Sequence, residues 1–153
     1  CYNEAKNLRK QVTAMIEFVY GAKGSGKTKK MIDMANGELA NAKGSVLFIN
    51  DRDKYRATVD THIRFINTDE FHIEGTDELY GFVCGVIAGN YDVECVYIDN
   101  LLRILRADGP ESVKGFLDKL NELQKNMKIK FVLSISAEEN TVPEFLKNYR
   151  NPA

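Results

Sequence analysis

A short glycine- and lysine-rich stretch carries the residue types and spacing of a phosphate-binding loop. Residues 21–28 read GAKGSGKT and fill the pattern G-x-x-x-x-G-K-[ST]. Glycines in this pattern let the backbone fold into a loop whose N–H groups point inward around an anion. Lys27 would reach the β- and γ-phosphate oxygens of a nucleotide, and the Thr28 hydroxyl would ligate Mg²⁺. The pattern predicts a nucleotide-binding loop made of Gly21, Ala22, Lys23, Gly24, Ser25, Gly26, Lys27 and Thr28.

The chemistry of such a loop also needs a carboxylate on the metal side, and Asp99 is placed to supply it. Asp99 ends the apolar run VECVYID at 93–99, and open α/β sheets bind their ligands at the carboxyl ends of strands. The alternative is that Asp99 caps the turn after its strand. Because the loop pattern is present as well, we favour the metal role, with Lys27 and Asp99 as the catalytic pair.

Other charged residues follow the predicted strands and could take part in phosphate chemistry. Asp51, Asp53 and Glu70 are candidates for a general base, although each could also be a solvated loop charge. Arg103 and Arg106 come shortly after Asp99 and could act as arginine fingers, in cis or across a subunit contact. The alternative for both is a place on the surface of a helix.

Four tyrosines offer aromatic surfaces that could stack on a nucleotide base. They are Tyr55, Tyr80, Tyr91 and Tyr97. The sequence does not select among them, so the identity of the base stays open.

The rest of the chain alternates β-favouring apolar runs with helical patterns. Strands are predicted over 15–20, 45–50, 63–67, 93–99 and 128–136. Helices are predicted from the loop to Lys43-Gly44, from Thr76 to Gly89, from Pro110 onward and over 142–149. This alternation predicts a three-layer α/β/α sandwich with a mainly parallel five-stranded sheet.

The composition narrows the class of protein. A length of 153 residues favours one domain, and the net charge of -1 gives no field that would attract nucleic acid or an anionic membrane. No apolar run is long enough for a membrane span. The three cysteines, Cys1, Cys84 and Cys95, include no CxxC pair. We expect Cys84 and Cys95 to be reduced core residues of a cytoplasmic protein.

The first fourteen residues are too charged for a signal peptide. Met15 stands directly before the first strand-like run and could be the natural start. We therefore expect residues 1–14 to be an N-terminal extension or an expression remnant, with a helix-compatible stretch NEAKNLRKQV, and residues 15–150 to form the single domain.

The segments GAKGSGKT and VECVYID, with the strands and helices around them, resemble the P-loop NTPase superfamily over essentially Met15 to Tyr149. The resemblance implies that residues 21–28 bind a triphosphate and that Asp99 serves Mg²⁺. The layout is similar to the RecA-like branch, in which a further strand ends in a polar sensor residue. Ser136, or alternatively Ser134, would hold that place. The chain is also similar to small stand-alone ATP-binding proteins sometimes labelled twitching-motility ATPase-like.

One position departs from the RecA-like pattern. Many of these hydrolases have a glutamate after the metal-side Asp, whereas this chain has Asn100, and an amide cannot act as a general base. The resemblance therefore implies a soluble Mg²⁺–ATP-binding protein that is a slow or partner-activated ATPase, with an unknown protein partner or a second copy as activator. The alternatives are a small-molecule kinase of the nucleoside type and a non-catalytic nucleotide-binding regulatory module.

Overall fold

Five short strands form one parallel sheet in the computed structural model, which describes residues 15–152. The strands are β1 (Ile16–Gly21), β2 (Ser45–Asn50), β3 (Arg64–Asn67), β4 (Val93–Ile98) and β5 (Lys130–Ser136). Their order across the sheet is β1-β5-β4-β2-β3, and every described pair is parallel. The predicted parallel five-stranded sheet is confirmed. The predicted N-terminal extension and its helix lie outside the described residues.

Helices cover both faces of this sheet, which makes the three predicted layers. They are α1 (Lys27–Glu38), α2 (Gly75–Ala88), α3 (Leu101–Ile104), α4 (Lys114–Gln124) and α5 (Glu144–Lys147). The apolar residues of α1 pack on one face, against Phe48, Tyr97 and Val132. Those of α2 to α5 belong to the larger core cluster on the opposite face. Within residues 15–152, no helix has the length and apolar character needed to cross a bilayer.

The first helix is shorter than the sequence predicts. It ends at Glu38 instead of continuing to Lys43-Gly44, because the N–H groups of Ala40 and Asn41 turn back to the carbonyls of Gly37 and Glu38. Gly44 has a different role from the predicted helix stop. A side chain there would collide with the Asp92 carbonyl oxygen, to which the N–H of Ser45 donates at 2.7 Å. Gly44 thus permits the close approach of the chain segments that lead into β2 and β4.

The described cysteines are placed largely as expected. Cys95 is buried in β4, and Cys84 is half-buried on α2. Burial raises the pKa of the Cys95 thiol to about 12, from an ordinary value of 9.0. Cys95 is therefore a neutral apolar side chain of the core. Cys1 lies outside the described residues.

Candidate functional site

The register of the sheet places four polar residues in one row at its carboxyl edge. Ile98 pairs with Leu133 on one side and with Ile49 on the other, so the next residues, Asp99, Ser134 and Asn50, stand side by side. Asn50 in turn pairs with Asn67 of β3. Because side chains alternate along a strand, all four lie on the face that α1 covers. We call Ser134, Asp99, Asn50 and Asn67 the polar row, and every member is buried.

The carboxylate of Asp99 is the point at which hydrogen bonds from three other elements meet. Its Oδ2 accepts from Thr28 Oγ1 of α1 at 2.7 Å and from Asn50 Nδ2 at 3.0 Å. Its Oδ1 accepts from Ser134 Oγ of β5. Asp99 is completely buried, and the following short helix begins without a side-chain cap. The carboxylate therefore faces the glycine-rich loop and does not cap the turn after its own strand.

Two glycines of the glycine-rich loop have a left-handed backbone conformation. Gly24 and Gly26 have φ values of 81° and 85°, in the left-handed region that favours glycine. Gly26 directly precedes α1, so the unpaired N–H groups of the first helical turn lie at the end of the loop. The ammonium of Lys27 folds over the loop and donates to the carbonyl oxygen of Ala22 at 2.8 Å. Residues 22–26 are exposed to solvent and accessible to a ligand.

Two effects of opposite sign act on the pKa of Lys27. Partial burial lowers the pKa of Lys27, and the attraction of the Asp99 carboxylate acts in the opposite direction. The loop thus combines one ammonium, the positive end of α1 and a buried carboxylate across the β5 strand. This set of groups can bind the anionic and metal-bearing end of a phosphate ligand.

The three candidate bases and one of the two candidate arginines form ion pairs. Arg103 holds Asp51 with both Nε and Nη2, the latter at 2.7 Å from Oδ1, and this bond raises the pKa of Arg103. Asp53 and Glu70 share the guanidinium of Arg56, at 2.7 Å and 3.0 Å. The hydrogen bond from Arg56 holds the pKa of Asp53 below its ordinary value. A carboxylate with a lowered pKa is a weaker base.

The remaining predicted residues lie in different surroundings. Ser134, and not Ser136, contacts Asp99. Ser136 is exposed and pairs with Gly21, so it lies beside the start of the loop. Arg106 forms an exposed salt bridge with Glu74 at 2.8 Å. The structure therefore brings Ser136 to the loop and leaves Arg106 on the surface of the molecule.

Sequence reasoning missed the two asparagines of the polar row. A repeated signal marks both, because β2 and β3 each end in Phe-Ile-Asn, at 48–50 and 65–67. The side-chain Oδ1 of Asn50 accepts from the N–H of Arg52 at 3.1 Å, and the side-chain Oδ1 of Asn67 accepts from the N–H of Asp69 at 3.0 Å. Both side chains thus close the turn after their strand. The side-chain nitrogen Nδ2 of Asn50 donates to Asp99 at the same time.

Two of the tyrosines considered for base stacking are ruled out by their positions. Tyr97 is completely buried in the core under α1, so a ligand cannot reach its ring. Tyr91 lies two residues before β4, at the amino edge of the parallel sheet, whereas the loop lies at the carboxyl edge. Tyr20, which the sequence did not single out, lines a cavity beside the loop together with Gly21 and Ala22.

A solved structure resembles most of this chain. It is that of the flagellar accessory protein FlaH from Methanocaldococcus jannaschii, with a TM-score of 0.58 over 92% of this chain and 70% of that chain. The sequence identity is 14%, so the likeness shows the fold alone. No protein-family model and no curated protein sequence matches the chain.

Proposed function

We propose that this protein binds a nucleoside triphosphate together with Mg²⁺, with ATP as the first candidate, and that it is a slow or partner-activated ATPase. The observation that carries the proposal is the hydrogen bond of 2.7 Å between Thr28 Oγ1 and Asp99 Oδ2. It joins the end of the glycine-rich loop to the only carboxylate in the polar row. Two segments that are 71 positions apart in sequence thus come into contact.

The loop supplies the groups that a triphosphate needs. Left-handed glycines, here Gly24 and Gly26, are the backbone conformation from which anion-binding loops are built, and α1 adds the positive end of 12 residues of aligned peptide dipoles. Lys27 would release its bond to the Ala22 carbonyl and donate to phosphate oxygens instead. Each of these interactions favours negative charge at the same place.

The donor set beside the loop fits a magnesium ion. Mg²⁺ prefers oxygen ligands and is commonly bound through one or two carboxylates together with substrate phosphates and waters. The Thr28 hydroxyl and the Asp99 carboxylate are such ligands, while Asn50 and Ser134 would orient Asp99. When bound, the ion would neutralise charge that develops on the transferred phosphoryl group.

The residues that could activate a water molecule are poor general bases. Asn100 follows Asp99 and cannot accept a proton as a carboxylate does. Asp51 is already paired with Arg103, and Asp53 has a lowered pKa. Since a general base is typically worth 10²–10⁴-fold in rate, we expect turnover slower than about one per minute for the isolated protein. A protein partner or a second copy would then supply the missing group.

A small-molecule kinase is the second candidate, and a cavity at the same sheet edge favours it. A polar cavity of about 200 Å³ lies beside the ends of β2 and β3 and is lined by Asp51, Arg52, Thr68, Asp69, Glu74 and Arg103, among others. Within residues 15–152, Thr68 Oγ1 is buried without a hydrogen-bond partner. A phosphoryl acceptor in this cavity would fit the mixed charges of its walls.

The third candidate, a regulatory module, needs nucleotide binding without turnover.

Titration calorimetry with ATP and Mg²⁺ tests the shared premise of all three candidates. Lys27→Ala should abolish measurable triphosphate binding and leave the melting temperature unchanged, because Lys27 is not part of either core cluster. Lys29→Ala is the matched control, since Lys29 is exposed on the same helix, and should bind as the wild type does. Equal ATP affinity in the Lys27→Ala variant would refute the assignment of the loop.

Phosphate-release and product assays then separate the three candidates. Slow release of phosphate from ATP alone supports the ATPase. Phosphorylation of an added nucleoside supports the kinase, and binding without either product supports the regulatory module.

A further inference from the structure

The polar cavity beside the ends of β2 and β3 lies on the face of the sheet opposite to α1. Asp51 and Thr68, which line it, directly follow the two asparagines of the polar row, and side chains alternate along a strand. Accordingly, Ile73 and Ile104 of the larger core cluster also line the cavity. None of the described lining residues belongs to the glycine-rich loop. The cavity is therefore separate from the proposed nucleotide site.

Two ion pairs already neutralise four of the charged side chains in the cavity wall. Arg103 holds Asp51 through both Nε and Nη2. Arg106 donates to Glu74 at 2.8 Å, nearer to the surface. These four side chains give the wall a fixed polar frame without a net charge.

Two further charges in the wall have no such partner. They are the guanidinium of Arg52 and the carboxylate of Asp69. Within residues 15–152, neither group forms a hydrogen bond or an ion pair, although the field of Asp69 reaches Arg103. The cavity thus presents one cation and one anion that the described part of the chain leaves unpaired.

Thr68 adds a buried hydroxyl to the same cavity. The residue is 1% exposed, and within residues 15–152 its Oγ1 has no hydrogen-bond partner. A buried hydroxyl without a partner costs free energy, and a polar group in the cavity would remove that cost. The unpartnered hydroxyl therefore points to a polar ligand.

We propose that this cavity binds a small α-amino acid in its zwitterionic form. Arg52 pairs with the carboxylate of the ligand, and Asp69 pairs with its ammonium group. The Thr68 hydroxyl donates to the same carboxylate. Ile73 and Ile104, both buried, contact a small apolar or hydroxyl-bearing side chain of the ligand. Such binding goes beyond the proposed function, because it does not require the transfer of a phosphoryl group.

The charges of the wall determine the class of ligand. A ligand with one charge would leave either Arg52 or Asp69 without a partner in a space from which it displaces water, and that is unfavourable. A zwitterion pairs with both groups at once. The cavity volume of about 200 Å³ lies below the range of roughly 300–1,000 Å³ that is typical of pockets for drug-sized ligands. The ligand is therefore a small molecule.

A two-dimensional amide NMR titration of the nucleotide-free protein with glycine, L-alanine, L-serine and L-valine tests this site. At least one should bind saturably and shift the backbone N–H signals of Arg52, Thr68 and Asp69. Two analogues of that amino acid, its amide without the carboxylate and its deaminated acid without the ammonium, should each bind about 10-fold or more weakly. The inference is wrong if none of the amino acids binds or if either analogue binds as tightly.

Substitutions locate the binding. Arg52→Gln and Asp69→Asn should each weaken it by about 10- to 100-fold, the value of one hydrogen bond between charged groups. Thr68→Val removes the unpartnered hydroxyl, so it should weaken binding without lowering the melting temperature of the free protein. Lys54→Gln is the control, since Lys54 is an exposed cation of the same segment outside the cavity wall, and should bind normally. Unchanged binding by all three cavity variants would overturn the assignment.

The titration without nucleotide separates this site from the proposed function. ATP binding by a protein that binds none of the amino acids would overturn the amino-acid site and leave the proposed function intact. Amino-acid binding that depends on Arg52 and Asp69, in a protein that does not bind ATP, would support the site and refute the proposed function.

Discussion

Asp99 is the buried carboxylate at the centre of the candidate site. One buried carboxylate accepts hydrogen bonds from Thr28, Asn50 and Ser134, which belong to three different elements. The three donors depend on their shared acceptor, because loss of the carboxylate would leave each of them without this bond. A substitution at Asp99 should therefore change both the stability of the protein and its response to Mg²⁺.

Asp99→Asn should weaken the Mg²⁺ dependence of nucleotide binding more than nucleotide binding itself, because the amide is a poorer metal ligand. It should also lower the free energy of unfolding by about 1–3 kcal/mol, since an amide N–H would face groups that are themselves donors. Mg²⁺ titrations of binding and urea denaturation measure the two effects. Ser134→Ala is the control, because it removes the hydroxyl that bonds Asp99 and the N–H of Asn100 but keeps the charge of Asp99. Identical Mg²⁺ curves for wild type and Asp99→Asn would leave Asp99 with a structural role only.

Asn100 has a backbone reason to be asparagine. Its φ of 57° lies in the left-handed region, which asparagine tolerates better than most residues, and its N–H donates to Ser134 Oγ at 2.9 Å. Asn100→Glu should therefore cost about 1 kcal/mol of stability through backbone strain. If the new carboxylate reaches the attacking water, the variant should nevertheless hydrolyse ATP faster than the wild type.

Steady-state phosphate release measures the effect of Asn100→Glu. Asn100→Gly is the matched control, because it accepts the same φ without offering a base. Rapid turnover by the unmodified protein would contradict our explanation, and alanine substitutions at Asp51, Asp53 and Glu70 would then identify the base.

At the scale of elements, two glycines that look equivalent in sequence have opposite roles. Gly37 lies inside α1, and a Cβ there would have no other atom within 4 Å, whereas a Cβ at Gly44 would collide with the carbonyl oxygen of Asp92. Gly37→Ala should raise the free energy of unfolding by about 0.5–1 kcal/mol, because alanine is the better helix former. Gly44→Ala should lower it by about 2 kcal/mol or more, because backbone must move where β2 and β4 begin. Urea denaturation of both variants checks the pair, and a stabilising Gly44→Ala would contradict the close approach described above.

At the scale of the whole molecule, burial of the sheet face under α1 makes folding sensitive to alkaline pH. The unfolded Cys95 thiol ionises near its ordinary pKa of 9.0, whereas burial keeps it protonated in the folded protein to about 12. Unfolding therefore releases a proton in this window, and stability falls as the pH rises above about 9. The slope from this one group can reach about 1.4 kcal/mol per pH unit.

Urea denaturation at a series of pH values from 7 to 10 measures this linkage. Cys95→Val removes the titrating group and keeps an apolar side chain of similar size, so its stability should fall less steeply above pH 9. Parallel curves for the two proteins would show that Cys95 does not contribute.

The sequence by itself determined the features that depend on neighbours along the chain. The spacing of Gly21, Gly26, Lys27 and Thr28 predicted the loop. Short apolar runs predicted the strands, and their alternation with helical segments along the chain predicted the parallel sheet. These are local signals, because a turn, a strand or a helix is encoded within a few consecutive residues. Helix ends were less predictable, since competing hydrogen bonds near Gly37 ended α1 early.

Only the tertiary structure decided which side chains meet. Thr28 and Asp99 are 71 positions apart, and the choice of Ser134 over Ser136 as the partner of Asp99 depends on the pairing of β4 with β5. Asn50 joins the same carboxylate because β2 pairs with β4 in one register. A shift of one residue would turn each of these side chains to the opposite face. Strand order and register are set by packing over the whole core, and no short stretch of sequence contains that information.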